Sequence, residues 1–354
     1  MIHRHPQAEL QSPPQSPTSR RFEVRAYRPG DENRILETFN RVFRDACGPS
    51  FVDRTMDQWT WQYLDNPEGT RIMLAVGADG TVAGHYAGVP VLADTPWGCM
   101  RFVHCVDSMT HPDWQEGLPP PGLFARTGAA FGEQCLRLGE GLCYGFPIDS
   151  AFQIGRRHLG YEMMCAIDYL VRDLRQPPLQ ADGGVEVRRA LHLPADIDPL
   201  YDAVLAEKRC MVRRDHRYLH WRYLANPNRG AYEVWTAWRG DRLRGLLVLR
   251  PRHDLVPDAM TVVELLVSET DPSVTQALLA AAVHRQHDLG RSRLLAVFPQ
   301  WSFEHALFER LGFERTPSAR WLQRRLVHAV HSAHLTPHFL ATHWWFTLGD
   351  SDLV

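Results

Sequence analysis

Apolar and polar residues follow one another along the chain in patterns that predict strands and helices in turn. Residues 22–27 read as a short strand, whereas 31–43 carry apolar residues at the spacing of a helix face. Asn66-Pro67 ends a second short helix, and Ala78-Asp79-Gly80 marks a hairpin turn. The predicted elements of the first half are strand 22–27, helices 31–43 and 57–64, strands 71–76, 82–92 and 101–109, helix 122–138, strand 142–146, helix 150–159 and strand 163–172.

The second half repeats this order of elements. Its predicted elements are strand 185–190, helices 196–207 and 215–224, strands 232–238, 243–250 and 260–268, helix 273–289, strand 293–298, helix 302–311 and strand 319–327. Each half therefore has the order β-α-α-β-β-β-α-β-α-β, which predicts an α/β (α+β) fold in both.

A sequence motif recurs at the equivalent place in each half. Residues 61–67, Trp-Gln-Tyr-Leu-Asp-Asn-Pro, return at 221–227 as Trp-Arg-Tyr-Leu-Ala-Asn-Pro, with five of seven positions identical. The spacing of 160 residues far exceeds the repeat length of a solenoid, so the chain is a duplicated domain. We expect a structural role for the motif, in which Trp and Tyr anchor the second helix and Asn-Pro ends it.

The composition of the remaining segments sets the predicted domain boundaries. Residues 1–20, with four prolines and few large apolar residues, predict a disordered tail. The predicted domains are 21–173 and 185–354, joined by a Pro- and Gly-containing linker at 174–184. Residues 344–352 predict a final strand with a solvated acidic end.

Charge and cysteine usage exclude several classes of protein. The 354 residues include 39 Lys and Arg against 41 Asp and Glu, a balance that argues against a nucleic-acid partner. The apolar runs are too short for a membrane span, and 1–20 lack the apolar core of a signal peptide. Seven scattered cysteines without a Cys-x-x-Cys pair predict reduced thiols in a cytoplasmic protein without a metal site. We expect a monomer or a homodimer.

The order of elements, together with Leu-Gly-Tyr at 159–161 and Leu-Gly-Phe at 311–313, resembles the GNAT (Gcn5-related N-acetyltransferase) superfamily. The resemblance covers both halves. It implies two tandem GNAT-like domains, each a mostly antiparallel mixed sheet with flanking helices and a splay between its fourth and fifth strands. It also implies an acyltransferase that uses acetyl-CoA as its co-substrate.

In that family the fourth strand, a glycine-rich loop and the start of the next helix hold the pyrophosphate of acetyl-CoA. A helix N-terminus offers free N–H groups to phosphate, and glycine lets the backbone approach closely. Pro112, Gln115 and 122–124 match the family pattern, but prolines at 119–121 lengthen the loop and lack N–H donors. The donors therefore come from 115–118, from 122–125, or from both. The resemblance assigns to the co-substrate Met109, Thr110, His111, Gln115, Gly117, Gly122, Leu123, Phe124 and Asp149.

The second half lacks these features. Its fourth predicted strand runs into Glu269 and Asp271 without a glycine, and two carboxylates repel phosphate. We therefore expect one CoA site, in the first half.

The family's usual acid, a tyrosine that protonates the leaving thiolate, is missing. Arg156 and Phe308 stand at its position in the two halves. The loss is small because a thiol with a pKa of about 8.5 leaves readily as thiolate. An ammonium acceptor with a pKa near 10 must instead lose a proton before it attacks, so a base is needed.

The candidate catalytic residues lie on or near the fourth and fifth strands. Asp107 and His104 are the candidate bases, with His111 third, and Tyr144 is a candidate donor or substrate contact. Strand alternation places Asp107 and His104 on opposite faces of the fourth strand.

Three functions fit these observations. The first is an N-acetyltransferase that moves acetyl from acetyl-CoA to an amine of a small molecule or sugar: an amino sugar, an aminoglycoside-like compound, a polyamine or a peptide amine. The second is a cell-wall aminoacyltransferase that uses aminoacyl-tRNA, which the near-neutral charge argues against. The third is a non-catalytic binding or sensor protein whose longer proline loop has abolished CoA binding.

Overall fold

A computed structural model describes residues 21–49, 51–114, 120–173, 175–181, 183–253 and 255–354; the predicted tail at 1–20 lies outside them. The helices are α1 (Glu32–Cys47), α2 (Met56–Tyr63), α3 (Gly122–Arg137), α4 (Asp149–His158), α5 (Ile197–Leu205), α6 (His216–Leu219), α7 (Pro272–Asp288), α8 (Phe303–Arg310) and α9 (Pro337–His343). The strands are β1 (Phe22–Ala26), β2 (Arg71–Gly77), β3 (Val82–Thr95), β4 (Gly98–Thr110), β5 (Leu142–Gly145), β6 (Glu162–Ala166), β7 (Asp168–Asp173), β8 (Glu186–Ala190), β9 (Cys210–Val212), β10 (Glu233–Arg239), β11 (Arg242–His253), β12 (Ala259–Val267), β13 (Arg293–Ala296), β14 (Glu314–Pro317), β15 (Arg325–Val330) and β16 (Trp344–Trp345).

The strands form two mixed sheets. Among the described residues, the first sheet has nine strands in the order β1-β2-β3-β4-β5-β15-β6, with β9 pairing β3 and β16; the second has seven in the order β14-β7-β13-β12-β11-β10-β8. Most neighbours are antiparallel. The parallel pairs among the described strands are β9–β16 and, between the fourth and fifth predicted strands of each half, β4–β5 and β12–β13. This architecture confirms the predicted fold class.

Helices cover both faces of the first sheet. Ile72 and Leu74 of β2 belong to the core cluster that includes Ile35 of α1, whereas Met73 packs in a cluster with Phe131 of α3. Alternate residues of a strand point to opposite faces, so α1 and α3 lie on opposite sides of the sheet.

The halves exchange strands: β7 of the first half lies in the second sheet, and β9, β15 and β16 of the second half lie in the first. The predicted strand 163–172 is wrong as a single strand: it divides at Ile167 into β6 of the first sheet and β7 of the second. The predicted strand 319–327 is replaced by β14 and by β15, which lies between β5 and β6 in the first sheet. Sequence periodicity detects an extended segment but not its partner. The boundaries 21–173 and 185–354 divide the sequence repeat, and as folding units they stay a prediction.

The repeated motif lies where the halves meet. The Trp61 and Trp221 rings stack with centroids 5.2 Å apart and planes inclined by 19°. Trp61 Nε1 donates to the carbonyl of Trp221 at 2.8 Å, and Trp221 Nε1 donates to the carbonyl of Trp61 at 3.1 Å. A two-fold relation between the halves produces such reciprocal hydrogen bonds between equivalent residues. They support the structural role expected of the motif.

Residues 344–351 are buried, contrary to the predicted solvated end, although Asp352 is half-exposed. A helix, α9, precedes the two-residue β16, and Trp344 and Trp345 are both fully buried. Asp350 is also buried and pairs with Arg214 at 2.6 Å. The buried carboxylate is stabilised by the guanidinium of Arg214 and by the backbone N–H of Thr347, which donates to it at 2.9 Å.

Candidate active site

A cavity opens where β4 and β5 separate. Within the described residues their pairing ends at His104 and Tyr144. A Cβ built on Gly145 would lie 3.0 Å from the Cys105 carbonyl oxygen, so the close approach of the strands here requires glycine. Beyond this point the strands enclose a cavity of about 650 Å³ that is lined mostly by apolar side chains.

Helix α3 forms one side of this cavity. It begins at Gly122, whose φ of +81° is a backbone conformation that glycine adopts freely. Gly128 and Gly132 line the same wall further along the helix. The first N–H groups of a helix lack intrahelical acceptors and carry the positive end of the helix dipole. This side of the cavity therefore suits an anion next to an extended apolar group.

The structure brings together most of the described residues that the sequence assigns to the co-substrate. The cavity is lined by Met109, Thr110, Gly122, Leu123 and Phe124. Gln115 and Gly117 lie outside the described residues.

His111 and Asp149 lie elsewhere than on the cavity wall. His111 Nε2 is 3.2 Å from a guanidinium nitrogen of Arg41. Asp149, at the start of α4, is three-quarters exposed and forms an ion pair with Arg325 of β15. Both assignments stay predictions, but these contacts give each side chain a structural partner.

Helix α1 and the C-terminal segment form the opposite side. Val42, Phe43 and Ala46 reach the cavity from α1, and Phe146 does so from the residues after β5. Asp352 lines the cavity with a side chain that is 47% exposed. Its carboxylate is thus open to the cavity on an otherwise apolar wall.

His104 and Tyr144, two of the predicted catalytic residues, lie together at this wall. Their rings stack with centroids 5.0 Å apart and planes inclined by 13°. Tyr144 lines the cavity, and His104 Nε2 lies 3.6 Å from Asp352 Oδ1. This distance exceeds a hydrogen bond, and Nε2 is buried without a hydrogen-bond partner among the described residues. His104 is not itself among the residues that line the cavity, and its imidazole is next to the cavity through Tyr144 and Asp352.

Asp107, the third predicted catalytic residue, has its carboxylate engaged by α2 and the residues before it. It forms an ion pair with Arg54 and accepts hydrogen bonds from the Tyr63 hydroxyl at 2.5 Å and the Gln62 amide at 3.0 Å. Burial by itself would raise the pKa of Asp107, but the Arg54 guanidinium and the hydrogen bonds from Arg54 and Tyr63 outweigh burial and lower the pKa. A carboxylate stabilised in this way is a weak base.

A β-bulge turns Asp107 toward α2. The register of β3 and β4 shifts between His85 and Ala87, and Asp107 adopts a φ of +54°. The simple alternation expected from the sequence is interrupted here, because a bulge changes which side chains share a face.

The second half contains the same carboxylate arrangement. Glu264 of β12 accepts a hydrogen bond from the Tyr223 hydroxyl at 3.0 Å and pairs with Arg214 at 3.2 Å. Tyr223 and Arg214 stand 160 residues after Tyr63 and Arg54. Because the arrangement recurs in the half without the glycine loop, it belongs to the repeated architecture. This speaks against Asp107 as the base, although that role stays a prediction.

Two pairs of cavity residues escaped the sequence reasoning. His328 and His331 line the cavity from β15 and the residue that follows it, and burial lowers the pKa of both. They belong to the exchanged strand, so no local signal connected them with β4. The hydroxyls of Tyr86 and Tyr161 hydrogen-bond each other at the cavity, and burial raises the pKa of both. They stay protonated and can donate.

The equivalent splay in the second half is filled. Pairing of β12 with β13 ends at Thr261 and Leu295 within the described residues. Thr347 then bonds Glu264 of β12 at 2.8 Å, while the Trp345 ring packs 6.2 Å from that of Phe298, after β13. The C-terminal segment thus lies between the diverging strands.

Carboxylates occupy the place where this second site would hold phosphate. A Glu207 oxygen accepts the backbone N–H of Glu269 at 2.7 Å, in the loop after β12. Buried Lys208 binds Glu304 at 2.7 Å and also pairs with Glu269. The N–H donor and the cation that an anion would need are already engaged.

No helix in the described part of the chain is long and apolar enough to cross a membrane. Nor do the described residues contain a group of three or more His, Cys, Asp or Glu side chains placed to hold a metal ion.

No protein-family model and no curated protein sequence matches the chain. Solved structures do. A GCN5-related N-acetyltransferase from Kribbella flavida, 14% identical, aligns over 88% of this chain and 71% of its own with a TM-score of 0.62. One from Anabaena variabilis, 11% identical, aligns over 88% and 73% with the same TM-score. The N-myristoyltransferase of Saccharomyces cerevisiae with bound myristoyl-CoA, 10% identical, aligns over 93% and 87% with a TM-score of 0.56.

The chain therefore has the fold of the GCN5-related N-acetyltransferases, which confirms the resemblance seen in the sequence. At these identities the likeness establishes the fold, and the chemistry has to be argued from the site.

Proposed function

We propose that the protein is an N-acyltransferase that moves an acetyl group from acetyl-CoA to an amine of a small molecule. The observation that carries the proposal is the cavity at the β4–β5 splay. It joins a helix N-terminus on one face of the sheet to the Asp352 carboxylate, which has the His104 imidazole beside it, on the other, so two substrates can meet within the sheet.

The α3 side suits the CoA thioester. The first N–H groups of α3 are oriented for the pyrophosphate, and Gly128 and Gly132 leave the wall without side chains. The strand edges beyond His104 and Tyr144 are free to bond the amides of the pantetheine arm. A neighbour with the same fold holds myristoyl-CoA, which further supports a CoA thioester.

The opposite side suits the amine. Asp352 attracts the ammonium form, and the proton ends on His104 Nε2. The neutral amine nitrogen then bonds to the acyl carbon and the carbon–sulfur bond breaks. The second proton that the nitrogen loses goes to the departing CoA thiolate, so the products are the amide and the CoA thiol. The Tyr86–Tyr161 hydroxyl pair stays protonated and donates a hydrogen bond to the sulfur from the α3 side.

The other two functions are less well supported. The described residues that line the cavity include no Lys or Arg to bind a tRNA backbone. An open cavity beside a helix N-terminus argues against a sensor that has lost the CoA site.

All seven cysteines are free, which suits the cytoplasmic location that we also propose.

The test measures acetyl-CoA binding by calorimetry and thiol release with an amine panel. We expect acetyl-CoA to bind and CoA to be released only when an amine is present. His104→Gln should lower kcat about 100-fold and leave acetyl-CoA affinity unchanged, because a positioned base contributes roughly that factor. The difference in kcat between the wild type and His104→Gln should become smaller as pH rises toward the pKa of the amine, because solvent then removes the proton from the ammonium. A chain that does not bind acetyl-CoA would overturn the proposal.

A further inference from the structure

We infer that the acceptor is a small primary amine that carries a single positive charge on an apolar body, preferably an aromatic one. The inference rests on the proposed function and names the class of its second substrate. It excludes the polyamines, aminoglycoside-like compounds and amino sugars that the sequence left open.

The wall opposite α3 is apolar and rigid. Phe43 of α1 stacks on Phe39 with centroids 4.3 Å apart and on Phe51 at 6.3 Å. The Tyr144 ring, which also lines the cavity, packs edge-on to Trp344 at 4.9 Å. These contacts fix the Phe43 and Tyr144 rings in place. The two side chains therefore lose little conformational entropy when an apolar body binds against them.

The charge on the cavity wall is small. The carboxylates that line it are those of Asp107 and Asp352, and no Lys or Arg is among its lining residues in the described part of the chain. Arg54 neutralises Asp107. Asp352 is half-exposed, and its ion-pair partner among the described residues is His104 at 3.6 Å. The wall therefore offers one carboxylate to a cation.

A polyamine or aminoglycoside would bring several ammonium groups to this one carboxylate. Each additional ammonium group would move from water into the cavity without a counter-charge, which costs several kcal/mol. An amino sugar brings one charge but several hydroxyls. Ser108, Thr110, His328 and His331 can bond those that reach their part of the wall, but a hydroxyl buried against Phe43 or Phe146 without a hydrogen bond costs about 1–3 kcal/mol. A monocationic amine on an apolar body avoids both penalties, and its ring can pack against Phe43 and Phe146.

The test compares three probe amines in the thiol-release assay with the full chain and saturating acetyl-CoA. They are 2-phenylethylamine, glucosamine and spermidine. We expect kcat/KM for 2-phenylethylamine to exceed that for either other amine at least tenfold. If turnover is too slow to measure, thermal shift by the three amines in the presence of CoA should give the same order. An equal or reversed order, by either readout, would overturn the inference.

A variant adds a matched control. Ala46→Asp puts a second carboxylate on the wall of the cavity and should raise the relative kcat/KM for spermidine severalfold. Ala129→Asp makes the same change on an exposed position of α3 outside the cavity and should leave the order of the amines unchanged. Equal shifts in both variants would also overturn the inference. Failure of acetyl-CoA to bind would instead count against the proposed function.

Discussion

One carboxylate on the fourth strand of each half has a structural role. Asp107 and Glu264 each accept a tyrosine hydroxyl from the repeated motif and an arginine from the residues before it. We predict that Asp107→Asn lowers the free energy of unfolding by on the order of 3 kcal/mol, because it leaves the Arg54 guanidinium without its counter-charge. Glu264→Gln should lower it less, because Asp350 still pairs with Arg214. Chemical denaturation measures this.

The same two variants test the sequence-based role of Asp107 as the base. If Asp107 is structural, turnover per folded molecule stays near wild type in both. A selective loss of turnover in Asp107→Asn, with CoA affinity intact, would instead support Asp107 as the base.

Gly122 tests the placement of the phosphate-binding turn. A Cβ here meets no atom within 4 Å, so the constraint is the φ of +81° at the first residue of α3. We predict that Gly122→Val weakens CoA binding by about tenfold or more, because strain of roughly 1–3 kcal/mol shifts the helix start. Gly139→Val, with a φ of +70° and open space after α3, is the matched control and should leave affinity unchanged. Equal affinities in calorimetry would reject this placement.

At the scale of elements, the exchanged strands join the halves. Without β15, β5 would expose a hydrogen-bonding edge, and without its partners β7 would have no sheet. We predict that fragments 1–181 and 182–354 are each unstable alone but assemble when co-expressed and then bind CoA. Co-purification and thermal melts by circular dichroism measure this. A cooperative melt of 1–181 alone, with CoA binding, would show that the exchange is dispensable.

Trp345 tests the filled splay at the same scale. Its removal leaves a void between β12 and β13, and a core Trp→Ala change costs about 3–5 kcal/mol. We predict that Trp345→Ala loses stability of this order and still binds one CoA per chain, because Glu207 and Glu269 continue to repel phosphate. Two bound CoA per chain, in the variant or the wild type, would contradict this account.

At the scale of the whole molecule, buried histidines link stability to pH. Burial lowers the pKa of His85, His305, His328 and His331, so the folded state keeps them neutral. The stabilisation that comes from neutral histidines is complete above their pKa of about 6.5 in the unfolded state. It is lost as pH falls through their lower pKa values in the folded state.

His328→Gln isolates one of these groups. We predict that the stability of the wild type relative to this variant falls below about pH 6.5, by up to roughly 1.4 kcal/mol per pH unit. Denaturant unfolding at pH 7.5, 6.5 and 5.5 gives the difference. A constant difference over this range would show that His328 does not stay neutral in the folded protein.

The sequence alone determined those features that are local or repeated. Helix spacing and strand runs predicted most elements, and the recurrence of 61–67 at 221–227 predicted the duplication. The turn at Gly122 and the ring of Tyr144 were found because each belongs to a motif that is contiguous along the chain. Such signals are short-range, so they survive without knowledge of the fold.

Only the tertiary structure decided which strands pair and what faces the cavity. The division of 163–172 between two sheets, and the insertion of β15 beside β5, depend on hydrogen bonds between distant segments. The pairing of Asp107 with Arg54 and the approach of Asp352 to His104 join residues far apart in sequence. Period and composition record how a segment folds but not what it folds against, because strand partners and ion pairs are chosen by packing in three dimensions.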